Sequence, residues 1–231
     1  MTKLSSGFQY LIKKFGPPQN GEPVPKEVRE AYASRVPQTM LDFWEEYGTG
    51  LWLDGYFQLC RPDQYQSLVD FILQGDPDFP PEKSVLIGFS AFGTLLIWNN
   101  KNYFLKISLY NKIAYSFHLS PDFPILPPDK DISAVLISID SEVFDYLERT
   151  KEAKPLFKRA LKKLGPLAYG ECYGFIPALE LGGREVLEEV HKRPARPYFQ
   201  MVADLDPIAL RYNDLENHQV RFVRYLGEPA A

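Results

Sequence analysis

At 231 residues the chain is longer than the commonest domain size of about 100 to 150, so it holds one large domain or two small ones, and either would bury about 70 to 75% of its unfolded surface. With 45% apolar, 14% aromatic and 24% charged residues and a net charge of −4, the composition is that of an ordinary soluble globular protein, and a pI of about 5.5 argues against nucleic-acid binding. Two cysteines, Cys60 and Cys172, exclude a disulfide framework and are expected as buried thiols in a reducing compartment; with neither a signal peptide nor an 18-residue apolar run in view, no membrane span and a cytoplasmic location are expected.

In chain order, Phe8, Leu11, Ile12 and Phe15 give an amphipathic start. Prolines from Pro17 to Pro25 then force an extended wrap. Helices are predicted over Lys26 to Ala33 and from Pro37 to Tyr47, the second with Met40, Leu41, Phe43, Trp44 and Tyr47 on a 3.6 period and Gly48 as its stop. Leu51 to Leu53 and Tyr56 to Leu59 flank Asp54-Gly55, the signature of a type I′ hairpin turn. Pro62 opens a helix to about Leu73. Four strands follow, Ser84 to Phe89, Thr94 to Trp98, Tyr103 to Leu109 and Ile113 to His118, joined by short connectors that favour antiparallel neighbours. A second proline cluster places a link near residues 119–132, before a short strand at Ala134 to Ile139. Helices are predicted over Asp140 to Thr150 and Lys154 to Leu164, then a bulged strand at Tyr169 to Ile176, a helix at Arg184 to His191 after Gly182-Gly183, and another at Tyr198 to Leu205. The fold class is therefore α+β, helices packed on a mainly antiparallel meander sheet and followed by a smaller α+β C-terminal domain.

Charge is sorted along the chain. Between Asp42 and Glu82 stand nine acidic residues against Arg61 alone, in a stretch dense in aromatics and turn glycines that marks folded structure. From Arg149 to Lys163 there are seven basic residues against Glu152 alone, with Leu156, Phe157, Ala160, Leu161 and Leu164 as a buried stripe beneath them. The basic stretch has no interleaved exposed aromatics, so base stacking has no support.

Candidate chemistry is thin. His118, His191 and His218 are isolated and none stands at metal-ligand spacing to another histidine or cysteine. The run Gly88-Phe89-Ser90-Ala91-Phe92-Gly93 misses a nucleophile elbow by one position, and Gly165 to Gly174 lacks the lysine-serine pair of a phosphate loop. No catalytic residue, metal or cofactor is expected.

The stretch VPQTMLDFWEEYGTGLWLDGYF at 36–57, with FGPP at 15–18 and GFSAFG at 88–93, resembles the GAD-like domain. FKRALKKL at 157–164 and LAYGECYGFIPAL at 167–179 resemble the C-terminal domain of immunity proteins for type VI secretion DNase effectors, with a departure at Pro194 and Pro197, where a more continuous helix would be expected. The resemblance implies a GAD-like domain over 1–120, an immunity-protein C-terminal domain over 133–231, and a non-enzymatic, one-to-one inhibitor of a nuclease toxin. An acidic folded antagonist suits such a partner, because a nuclease must present positive charge to DNA. The expected partner-binding residues are Asp54, Asp76 and Asp78, with exposed Trp52 or Tyr56 as anchors, against the alternative that Trp44, Trp52 and Phe57 are simply core. The alternatives are a small hydrolase using Ser90 or His118, or an RNA-associated binding module.

Overall fold

Local punctuation sets the first half of the chain. In the computed structural model, which describes residues 4–121, 123–147 and 154–228, α1 spans Ser6–Phe15, α2 Lys26–Tyr32 and α3 Gln38–Tyr47. α3 buries Met40, Phe43 and Trp44 and stops at Gly48, whose φ of 68° favours glycine. Its first turn is closed from far along the chain, where Asp129 Oδ1 accepts the Thr39 amide at 3.1 Å. β1 (Gly50–Trp52) and β2 (Phe57–Leu59) form a hairpin, and α4 (Pro62–Ile72) starts at Pro62. β3 (Ser84–Ser90), β4 (Thr94–Asn99), β5 (Tyr103–Ser108) and β6 (Ile113–Tyr115) continue the meander. After it come α5 (Pro128–Ile137), α6 (Phe157–Leu164), β7 (Glu171–Phe175), β8 (Val190–Pro194), α7 (Ala195–Leu205), β9 (Ala209–Asp214) and β10 (Gln219–Tyr225).

The strands make one eight-stranded sheet in the order β1-β2-β3-β4-β5-β6-β9-β10, together with a separate β7-β8 pair. Every pairing is antiparallel except β6 with β9. The fold is thus α+β, as its composition of elements predicts. The chain after the meander is tied back to the sheet by polar groups that burial obliges to find partners. Tyr110 Oη donates to the Tyr173 carbonyl at 2.7 Å, the Tyr173 amide donates to the Ala91 carbonyl at 2.8 Å, and the Gln58 side chain bonds both Gly170 N and Glu171 O. Phe92, Tyr110, Tyr146, Tyr173 and Phe175 fill the space between them with tilted and edge-on ring contacts.

Three local expectations are corrected. Residues 134–139 lie in or just beyond the helix α5, not in a strand: Pro127-Pro128 start it, Asp129 and Asp131 suit its first turn, and Ile132 and Leu136 bury four residues apart on the side facing α1 and α3. In place of a helix from Asp140, the described part holds a single 3₁₀ turn at Glu142–Phe144 and a bridge from Leu147 to Pro155, while 148–150 lie outside the described residues. Arg184 to His191 is a 3₁₀ turn leading into β8, because pairing with β7 outweighs local helix propensity. Asp54 and Gly55 take the positive φ angles expected of a type I′ turn, 57° and 87°, and the Tyr56 amide closes the turn on the Leu53 carbonyl at 3.0 Å. The paired ladder ends one step earlier, at Trp52 and Phe57, where Leu53 also takes positive φ and the Tyr56 carbonyl accepts from Ala91 N at 2.8 Å. β9 and β10 were not foreseen. Pro194 ends β8 and Pro197 lies in the first turn of α7, so the prolines mark a strand-to-helix junction.

Candidate functional site

The hairpin turn at Leu53 to Tyr56 projects against the segment that follows α5, and a cleft of about 640 Å³ opens between them and α6. Leu53, Asp54 and Tyr56 line one side, Asp140, Glu142 and Asp145 another, and Pro155, Phe157, Lys158 and Leu161 the third. Tyr56 holds the walls together: its hydroxyl donates to the Ser141 carbonyl at 2.7 Å and its ring meets Phe157 edge-on at 4.9 Å. Asp145 Oδ1 accepts the Tyr146 and Phe157 amides at 2.7 and 3.0 Å, so this carboxylate closes the start of α6. Lys14, at the end of α1, bonds Asp140 Oδ2 and the Ile137 carbonyl, each at 2.8 Å. Asp54 and Glu142 have no ion-pair partner among the described residues.

Burial and negative charge reinforce each other here. The Tyr56 phenol is pushed well above its ordinary value first by desolvation and then by Asp145, Glu142 and Asp140, and burial also raises the Asp145 carboxyl. On the other side of the Leu53 to Gly55 turn lies a second cleft of about 390 Å³, floored by Trp52, Phe15 and Leu167, and Leu53 and Asp54 line both.

The structure divides the sequence-predicted site residues between two places. Asp54 and Tyr56 come together at the cleft. Asp76 and Asp78 meet Arg224 of β10 instead: Arg224 Nη2 lies 2.6 Å from Asp76 Oδ1 and 3.0 Å from Asp78 Oδ2, and Asp78 also faces Lys101 at 4.0 Å. Asp76 is buried, with its oxygens taken by the amides of Asp78, Phe79 and Gly227 as well. The exposed-anchor expectation for Trp52 and Tyr56 is corrected to core. Trp52 is 1% exposed, its indole donating to the Gly16 carbonyl at 3.0 Å, and Tyr56 is 8% exposed.

The acidic run is likewise broken up by bases from elsewhere, Glu45 pairing with Arg29 as Asp78 pairs with Arg224. Sequence reasoning missed Asp140, Glu142 and Asp145 as site residues. Their signal, three acids within six residues, was absorbed into an expected helix face. Of the hydrolase candidates, Ser90 is buried with its Oγ accepting the Thr94 amide, and His118 lies between Tyr103 and Phe123 with Nε2 3.7 Å from Asp131 Oδ1. Among the described residues, no cluster of three histidine, cysteine or acidic side chains is arranged to hold a metal, and no helix is long and apolar enough to cross a membrane.

These features define an α+β protein with an acidic, apolar-floored cleft between its two halves. Residues 6–111 match the model of the GAD-like domain, and residues 141–206 match that of the T6SS immunity protein Tdi1, C-terminal. The crystal structure of Atu4351 from Agrobacterium tumefaciens is similar over 97% of this chain and 100% of that one, with a TM-score of 0.90 and 30% sequence identity. Comparison with curated proteins gave no match. The chain belongs to the type VI secretion immunity proteins that join a GAD-like domain to a Tdi1-type C-terminal region, and the latter match supports an immunity role. Both matched stretches build the cleft, Leu53 to Tyr56 from the first and Glu142 to Leu161 from the second.

Proposed function

We propose that this protein neutralises a cognate secreted nuclease toxin, a DNase, by binding it one to one in the bacterial cytoplasm, with no reaction of its own. The observation that carries the reading is the joint match to the GAD-like domain and the Tdi1 C-terminal region, with an acidic cleft where the two meet. The working division is a GAD-like part over 1–120 and a C-terminal part over 133–231, either side of a link at 119–132. A nuclease offers a cationic surface to phosphate, so a negatively charged antagonist gains rapid capture, with steered association reaching about 10⁸ to 10⁹ M⁻¹s⁻¹ at low salt. A stable complex needs an interface of about 1,600 Å² in total, far more than the cleft alone, which therefore forms part of a larger contact.

The test is a pull-down of the product of the adjacent gene, followed by a nuclease assay in which this protein is titrated in. The expected result is copurification and loss of nuclease activity at one molar equivalent. Loss at far below one equivalent would favour the hydrolase alternative, copurification with RNA would favour the RNA-binding alternative, and indifference to the toxin at micromolar concentration would remove the immunity reading.

A further inference from the structure

The cleft has properties that a flat acidic decoy would lack. Its volume of about 640 Å³ falls within the roughly 300 to 1,000 Å³ of clefts that enclose a ligand. Its floor is apolar, made by Tyr56, Phe157 and Leu161. Two of its four carboxylates are already committed, Asp140 to Lys14 and Asp145 to backbone amides, while Asp54 and Glu142 remain without an ion-pair partner among the described residues, and against the four acids the lining holds one cation, Lys158. An apolar floor beneath unpaired negative charge is complementary to a side chain that has an apolar stem and a cationic head.

We propose that the cleft receives a cationic, amphipathic segment of the toxin, with a lysine or arginine head held by Asp54 and Glu142 and its stem and apolar neighbours resting on Tyr56, Phe157 and Leu161. The inference rests on the immunity reading and deepens it: the toxin inserts into this protein, so the segment is withdrawn from its place in the nuclease. The occupant is a protein segment rather than a free polyamine because the complementary surface continues past Leu53, itself 38% exposed, into the second cleft, a length that suits a chain bearing several side chains.

The test uses the full-length protein and the co-encoded toxin in catalytically inert form. A photo-crosslinking amino acid at Leu161 should link to one toxin peptide that carries lysine or arginine beside apolar residues. The same group at Phe222, on the far edge strand of the sheet, should not link to that peptide. The paired substitution Asp54→Asn with Glu142→Lys should weaken binding about 100-fold, with the thermal midpoint unchanged because neither carboxylate has an ion-pair partner among the described residues. Asparagine is chosen because residue 54 has φ of 57°, which asparagine tolerates. Binding by the pair variant within about twofold of wild type, or a crosslink from Leu161 only to an acidic peptide, would overturn the inference while leaving immunity standing. Failure of the wild-type protein to bind the toxin at all would refute the immunity reading, and this inference with it.

Discussion

Replacing Asp76 with alanine should damage the fold and leave recognition intact. The carboxylate is fully buried and accepts four bonds: Asp78 N at 3.0 Å, Phe79 N at 2.9 Å, Gly227 N at 3.1 Å and Arg224 Nη2 at 2.6 Å. Removing it orphans three amides and strips a buried guanidinium of its nearer counter-ion. Breaking a buried pair costs about 3 to 5 kcal/mol, and Asp78, still 3.0 Å from Arg224, compensates part of it, so about 4 kcal/mol is expected. For a chain of this length that corresponds to a fall of about 8 to 16 °C in the thermal midpoint. Arg224→Met should cost less, about 2 kcal/mol, because Asp76 keeps three amide donors. The double variant should be less damaging than the sum of the two by about 1 to 3 kcal/mol. Urea and thermal unfolding followed by circular dichroism would measure all three. Hydrogen exchange should show the loss concentrated in β10 and the loop before β3, which this pair joins. A midpoint for Asp76→Ala within about 2 °C of wild type, or additive costs, would refute the reasoning, as would lost toxin binding well below the melting range.

Two further outcomes follow from buried groups elsewhere. Burial raises the Asp131 carboxyl to about 6, so the folded state holds its proton more tightly than the unfolded chain; the stability this gives is complete below the ordinary carboxyl value and is lost as pH rises through about 6. Asp131→Asn should therefore stabilise the protein at pH 8 by at most about 3 kcal/mol and make little difference near pH 4, and a variant less stable than wild type at pH 8 in urea titrations would contradict this. His118, 3.7 Å away, is lowered by its own burial, so it acts with the opposite sign on the acid side and should not mask the effect above neutrality. Gly174→Ala would set a methyl 2.4 Å from the Tyr198 ring, which is held by its hydroxyl bond to the Phe175 carbonyl; the expected loss is about 1 to 3 kcal/mol, and an unchanged midpoint would show that Tyr198 moves freely.

What the sequence disclosed follows the range of the forces involved. α3 was legible because Met40, Phe43, Trp44 and Gly48 encode both its buried face and its stop within eleven residues, and the meander because its turns are short. β8 and β9 were not, since each is a strand only by virtue of a partner, Glu171–Phe175 for one and Ile113–Tyr115 for the other.

The same distinction governs the site. A run of acids along the chain measures local charge, but the field at a surface depends on which bases fold back onto it, and Arg224 pairs with both Asp76 and Asp78 from the far end of the sequence, offsetting part of their charge. Conversely, Asp140, Glu142 and Asp145 gather beside Asp54 because Tyr56 reaches Ser141 and Lys14 anchors Asp140, links that no window of neighbouring residues contains. Charge reversal of Asp54, Asp76 and Asp78 together would therefore confound two effects, unfolding at one place and weakened capture at another. Altering Asp54 with Glu142 changes the electrostatics of the cleft while every buried ion pair stays in place, so it tests recognition without the loss of stability that Asp76→Ala brings.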